Sequence, residues 1–331
     1  MKTKNRQFFL IILSLLFIVS CSGDDSNNES TKPEIKNIND IILTTTLINT
    51  PTTPEDSGNY SVFFSMAGDK VYYANPSNTP LTQFMLEYNL NTNEFTSKMT
   101  NNEVCACGFS SVIVSDGTDL FYITNDAVRY SSGTNMWSNL SYPNEFRDNN
   151  GETGIVYYNG KIYFYGGRTP TNRFKYYDIS ADTWHDAPNG PYVATTSEMI
   201  ALGNTIYSIG GTSYTNSSME QINNRRRFVS YTEGGGWTTM PDLPFEFSAF
   251  WRSHLTAALN NRFIFALSSD KIYIYDTDSQ IWKDEPITLE VDAININNRN
   301  LFSYNVKLYL AGKSSTNEFK IYEIEAQLPS D

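Results

Sequence analysis

The sequence predicts an all-β fold in which six similar units close into a ring, and three observations carry that expectation. A tyrosine ending a β-like run is followed by a short polar turn and then an aromatic residue. The pairs are Tyr88 and Phe95, Tyr130 and Trp137, Tyr177 and Trp184, and Tyr275 and Trp282, each seven positions apart, with Tyr231 and Trp237 six apart. Counting Tyr322, which ends a run of the same kind, the six tyrosines are 42, 47, 54, 44 and 47 residues apart, the length of a four-stranded propeller blade. Only 18% of the 331 residues are charged and 14% are aromatic, and much of the remainder is Asn, Ser and Thr, which suits strands and turns better than helices.

Each unit also carries an earlier strand of small or polar, apolar and aromatic residues: DKVYYA, DLFYIT, GKIYFYGG, NTIYSIGG, RFIFAL and VKLYLAG. Together with the pairs Gly166-Gly167 and Gly210-Gly211 and the later tyrosine-turn-tryptophan, this pattern resembles the Kelch repeat over nearly all of residues 55–325. The likeness is fullest in units three and four. The diglycine is replaced by Ala74-Asn75, Thr124-Asn125 and Ser268-Ser269 in units one, two and five. The resemblance implies a six-bladed β-propeller over residues 39–331. Diglycine after a strand lets the backbone pass close to its neighbour where a Cβ would clash. Trp137, Trp184, Trp237 and Trp282 are expected to pack between blades.

The sixth unit ends before its partner aromatic. A propeller whose last blade lacks an outer strand borrows one from the other terminus or leaves an open edge. The β-branched segment NDIILTTTLINT, Asn39 to Thr50, is therefore expected to be the outer strand of blade six.

The first residues read as an address. Lys2, Lys4 and Arg6 precede an apolar stretch from Phe8 to Val19, too short and too abruptly ended for a spanning helix. The ending Ile18-Val19-Ser20-Cys21 resembles the lipobox of bacterial lipoproteins, which implies a signal peptide over residues 1–20 and a lipid on Cys21. Residues 21–38 are polar and acidic and read as a tether. An acidic stretch just behind such a cysteine resembles the surface-export signal of lipoproteins in Bacteroidota. The expected location is thus the outer membrane, with exposure at the cell surface.

Within a unit, insertions collect at one kind of turn. From second-strand aromatic to third-strand tyrosine the separations are 16, 9, 14, 24, 10 and 13 residues, whereas the first turns are tight, as in Asn159-Gly160 and Gly203-Asn204. Alternating strand direction places the variable connections and the links between blades on one face, where binding residues on a rigid scaffold are expected. That face carries Arg168 and Arg173 in blade three and the Thr212–Asn224 loop in blade four, closed by Arg225, Arg226 and Arg227. Two roles stand open for these arginines: pairing with neighbouring acids, or a patch for carboxylate or sulfate. Trp251 is the one tryptophan outside the repeat phase, and Arg252 and His254 beside it lead into an innermost strand. His254 is read either as a structural hydrogen-bonding residue near the channel mouth or as a ligand contact. His185 is expected at the surface.

Charge and composition narrow the function classes. With 36 acidic against 24 basic residues the chain has a net charge of −12, which disfavours a nucleic-acid partner. Two histidines and three cysteines leave little material for metal sites, and no metal or cofactor is expected. Cys105 and Cys107 are two apart and are read as small, partly buried cysteines or a labile pair. Two enzyme families resemble the architecture, copper-radical galactose oxidases and sialic-acid mutarotases. The first requires two axial histidines and is set aside. The second implies acid and base groups at the channel mouth, for which Glu152, Glu198, Arg252 and His254 are candidates. No catalytic residue is assigned. The expected protein is a monomeric, lipid-anchored, non-catalytic module binding a protein or a glycan through Arg168, Arg173, Arg225, Arg226, Arg227, Trp251, Arg252 and His254. A mutarotase-like sugar isomerase and a structural part of a surface complex are the alternatives.

Overall fold

The computed structural model describes residues 37–48, 63–75, 84–100, 112–123, 126–147, 152–167, 171–215, 220–222, 224–247, 254–289, 294–314 and 318–329. Residues 1–20, read as a signal peptide, Cys21, residues 22–36 of the stretch read as a tether, Cys105, Cys107, Arg168, Trp251 and Arg252 lie outside the described residues.

Six antiparallel sheets follow one another along the chain. Blade one starts with Phe63–Ala67, blade two with Val112–Ser115, blade three with Gly154–Tyr158, blade four with Glu198–Leu202, blade five with Thr256–Leu259 and blade six with Ile294–Tyr304. These innermost strands lie side by side in that order, and that of blade six returns to that of blade one, which closes the ring. Ile42–Leu47 pairs antiparallel with Phe319–Gln327, with Ile42 opposite Gln327 and Leu47 opposite Tyr322, and forms the outer strand of blade six. An N-terminal strand thus completes the last blade. Just ahead of it, Ile38 and Ile41 are each 3% exposed in the core shared by blades four, five and six.

Every junction between blades is filled by apolar and aromatic side chains. Tyr73 and Tyr88 of blade one meet Phe319 of blade six at ring separations of 5.9 and 5.6 Å. Tyr72 and Tyr130 join blades one and two, Phe164 and Trp184 pack with Tyr142 and Phe146 between blades two and three, and Phe174 meets Trp237 between blades three and four. Trp184 is buried as expected, whereas Trp137, Trp237 and Trp282 are half-buried, because outer strands sit at the rim.

In blades one to three the tyrosine-to-aromatic spacing has a local cause, whereas the buried Tyr275 hydroxyl of blade five has no partner among the described residues. Five residues after the tyrosine stands a residue at positive φ, Asn93 (58°), Asn135 (55°) and Asp182 (53°). Its side-chain oxygen accepts the tyrosine hydroxyl: Tyr88 at 2.5 Å, Tyr130 at 2.8 Å and Tyr177 at 2.6 Å. Asn and Asp tolerate this left-handed conformation better than other residues with side chains. The same oxygens reach the preceding blade, Asn135 accepting the Met99 N–H at 3.0 Å and Asp182 the Ser141 N–H at 2.8 Å. Trp137 and Trp184 then donate their indole N–H to the carbonyls of Met99 and Ser141, at 2.9 and 2.6 Å. Blade four departs from this consistently: Trp237 donates to Pro188, which has no N–H to give, and the acceptor is replaced by Gly234-Gly235-Gly236.

The diglycines serve the links. A Cβ on Gly166 (φ 74°) falls 2.2 Å from the Ala194 carbonyl oxygen, and one on Gly210 (φ 61°) falls 2.2 Å from that of Phe247. Gly167 and Gly211 donate their N–H groups to those same two oxygens, so each diglycine fastens its blade to the link of the next.

Candidate functional site

Tight first turns such as Asn159-Gly160, Gly203-Asn204 and Asn305-Val306 lie on one face, and the second-to-third connections and the links between blades on the other. On this variable face the blade-four insertion, read as a loop, contains its own antiparallel pair, Ser213–Thr215 with Glu220–Ile222. Thr195 and Thr212 hold its base to the preceding link through reciprocal backbone hydrogen bonds of 2.6 and 2.7 Å.

Two of the three consecutive arginines meet acids. Arg225 lies 3.4 Å from Glu246 and Arg227 3.3 Å from Asp242, while Arg226 is exposed and has no ion pair among the described residues. These are exposed pairs, worth about 0–1 kcal/mol each. Arg173 is more tightly held: its Nε donates to Asp186 at 2.7 Å, an Nη to the Glu145 carbonyl at 2.9 Å, and its guanidinium lies 5.0 Å from the Phe146 ring centre. His185 is exposed and stacks on Tyr176 at 4.9 Å.

A cavity of about 530 Å³ follows the ring axis between the innermost strands. Val114, Ile155, Ile200 and Phe302 are among its apolar walls, Asp116 and Gly117 stand at the short-turn end, and Glu198 and His254 at the variable end. His254 is fixed from three other blades. Its Nε2 is 2.7 Å from the Ile113 carbonyl oxygen of blade two, and its Nδ1 is 3.2 Å from Glu198 Oε1 of blade four. Its backbone N–H donates to Asn300 Oδ1 of blade six at 2.6 Å, and its carbonyl accepts the Leu301 N–H at 2.7 Å. Both partners offer accepting oxygens to the ring nitrogens, an arrangement that favours the protonated imidazole. Burial pushes its pKa down, but the Glu198 carboxylate and the Ile113 carbonyl outweigh burial and the net shift is up. Glu198, its side chain 5% exposed, uses its second oxygen on the Leu255 N–H at 3.2 Å. Glu152 is not brought to this pair: its carboxylate accepts the Thr195 hydroxyl at 3.1 Å.

Some buried polar atoms without a partner lie on the same face. Among the described residues these include Thr153 Oγ1 and Ser197 Oγ, at the entrances to the innermost strands of blades three and four, and Arg299 Nε and Asn300 Nδ2 in that of blade six. Sequence reasoning did not single out Arg299. The available signal was an arginine amid asparagines, Asn297-Asn298-Arg299-Asn300, in a strand whose counterparts, Glu198 of blade four apart, begin with the small or apolar residues Phe63, Val112, Gly154 and Thr256.

No family model matches the chain. It is 28% identical over 162 residues, 46% of this chain and 34% of the relative, to a protein of Aspergillus terreus named Kelch-like protein terF. It is 32% identical over 82 residues, 25% of this chain and 11% of the relative, to the Kelch domain-containing protein SSO1033 of Saccharolobus solfataricus. The aligned part of the chain thus spans about a third of the first relative and about a tenth of the second. These Kelch-named relatives and the six-bladed ring together support a Kelch-repeat propeller.

Proposed function

We propose that this protein is a non-catalytic binding module that holds a protein partner on its variable face, carried at the outer membrane by a lipid on Cys21. The observation that carries the reading is the concentration of insertions on one face of a rigid ring, above all the extra strand pair Ser213–Thr215 and Glu220–Ile222 of blade four, pinned at its base by Thr195 and Thr212. Replacing Ser213–Ile222 by a short Gly-Ser connection tests it. The expected result is an unchanged melting temperature together with loss of whatever protein the intact chain retains from the cell envelope; retention of the same protein contradicts the reading. A glycan array run beside it separates a sugar ligand from a protein one. For the anchor, mass spectrometry of the membrane fraction should find acyl chains on Cys21, and Cys21→Ser should release the protein.

A sugar isomerase is the second reading, favoured by the carboxylate and imidazole at the end of a cavity of about 530 Å³. Against it stands the engagement of both imidazole nitrogens by accepting oxygens, which favours a ring already protonated over one free to take a proton. Anomer exchange of sialic acid by the purified protein, abolished in His254→Gln, is the result that favours the enzyme.

A further inference from the structure

Arg299 is a buried cation without an ion pair among the described residues. It is 6% exposed, and its Nε has no hydrogen-bond partner among those residues. Asp270, on the exposed turn between the second and third strands of blade five, acts on it electrostatically without an ion pair, and burial outweighs that effect, disfavouring the charge. A guanidinium stays protonated regardless, so the cost of burying it stands unless an anion meets it. Its position is set by a backbone irregularity. The register between the first two strands of blade six jumps from Ile294 opposite Ser314 to Arg299 opposite Gly312, and such bulges re-aim side chains. The residue opposite, Gly312, carries no side chain to shield it. Asn300, 1% exposed, adds a second unsatisfied donor, its Nδ2 free while its Oδ1 holds His254.

We infer that Arg299 is the receiving end of a carboxylate site on the variable face, filled by an Asp or Glu side chain of the protein partner. The inference rests on the partner-binding reading above and narrows the partner to one that presents an acidic residue there. A planar fork of N–H donors matches a carboxylate in two parallel hydrogen bonds. In a chain of net charge −12, a local cation that forms no ion pair among the described residues is what separates this spot from the surrounding surface.

The test uses the purified protein with three probes at constant ionic strength: the blocked tripeptides Gly-Glu-Gly and Gly-Gln-Gly, and acetate. Binding is read from the side-chain Nε–Hε resonance of Arg299, assigned by its loss in Arg299→Lys, and from the melting temperature. The Glu peptide is expected to shift the resonance saturably and to bind more tightly than acetate, with no response to the Gln peptide. Arg299→Met is expected to melt higher than the wild type without ligand, because an unpaired buried cation is gone, and to bind the Glu peptide about ten- to a hundredfold more weakly. Equal response to the Glu and Gln peptides, or equal affinity for acetate, overturns the assignment. So does a lower melting temperature in Arg299→Met, which makes the guanidinium structural. Failure here leaves partner binding by the face intact, since deletion of Ser213–Ile222 reads that independently.

Discussion

His254 of blade five donates its Nε2 proton to the Ile113 carbonyl of blade two, 2.7 Å away across the ring axis, while its Nδ1 faces Glu198 of blade four at 3.2 Å. One side chain thus ties three blades at the variable end of the channel. Its folded pKa lies above the ordinary 6.5. The stability it contributes is therefore full below about pH 6.5 and is lost as pH rises through the folded value. Urea unfolding of the wild type and of His254→Gln across that interval should show the two converging as pH rises; a constant difference contradicts the charged tie.

The link between Asp182 and blade two should be costly to remove. Asp182→Ala loses the acceptor of the Tyr177 hydroxyl and the Ser141 N–H and places a Cβ-bearing residue without compensation at φ 53°. We expect about 2–3 kcal/mol of destabilisation in urea unfolding, and little change for Asp182→Asn, which keeps the accepting oxygen. Equal losses in the two variants contradict the role of that oxygen.

The turn Asn305-Val306 carries an opposite expectation. Both residues have positive φ, 47° and 57°, a conformation in which a β-branched side chain is strained, and Val306 is 72% exposed so that its side chain packs little. Val306→Gly should raise stability by about 1 kcal/mol, read as a higher melting temperature. A lower one shows that the valine packs against something the isolated chain lacks.

Ile42–Leu47 pairs with Phe319–Gln327, and closure of the ring is expected to depend on that strand. Deleting Asp40–Asn49 uncovers the edge of Phe319–Gln327 and removes buried Ile41, and should cost at least about 3 kcal/mol and promote association through the bared edge. A synthetic peptide of residues 37–49 should restore part of the melting temperature. A neutral deletion contradicts the closure.

The sequence was most legible where chemistry is local. In blades one to three the tyrosine-to-aromatic spacing reports one turn, in which Asn93, Asn135 or Asp182 answers a tyrosine five residues back, and the absent sixth aromatic pointed to the outer strand of blade six. Glu198 and His254 were both candidates, but their meeting 56 residues apart depends on the height at which each link enters its blade, which no spacing encodes. The pairing of Arg225 with Glu246 and Arg227 with Asp242 is of the same kind: the arginines are visible in the chain, their acids only in the fold. Arg299 was hidden because a bulge, rather than a residue pattern, sets where it sits.

The most direct test of the account is photo-crosslinking in the parent cell from two exposed asparagines, Asn189 in a variable-face link and Asn204 in a tight turn of the opposite face, each replaced by p-benzoylphenylalanine. One discrete protein adduct from position 189 and none from position 204 is the predicted result. An adduct from 204 alone, or the same adduct from both, contradicts a partner held on the variable face.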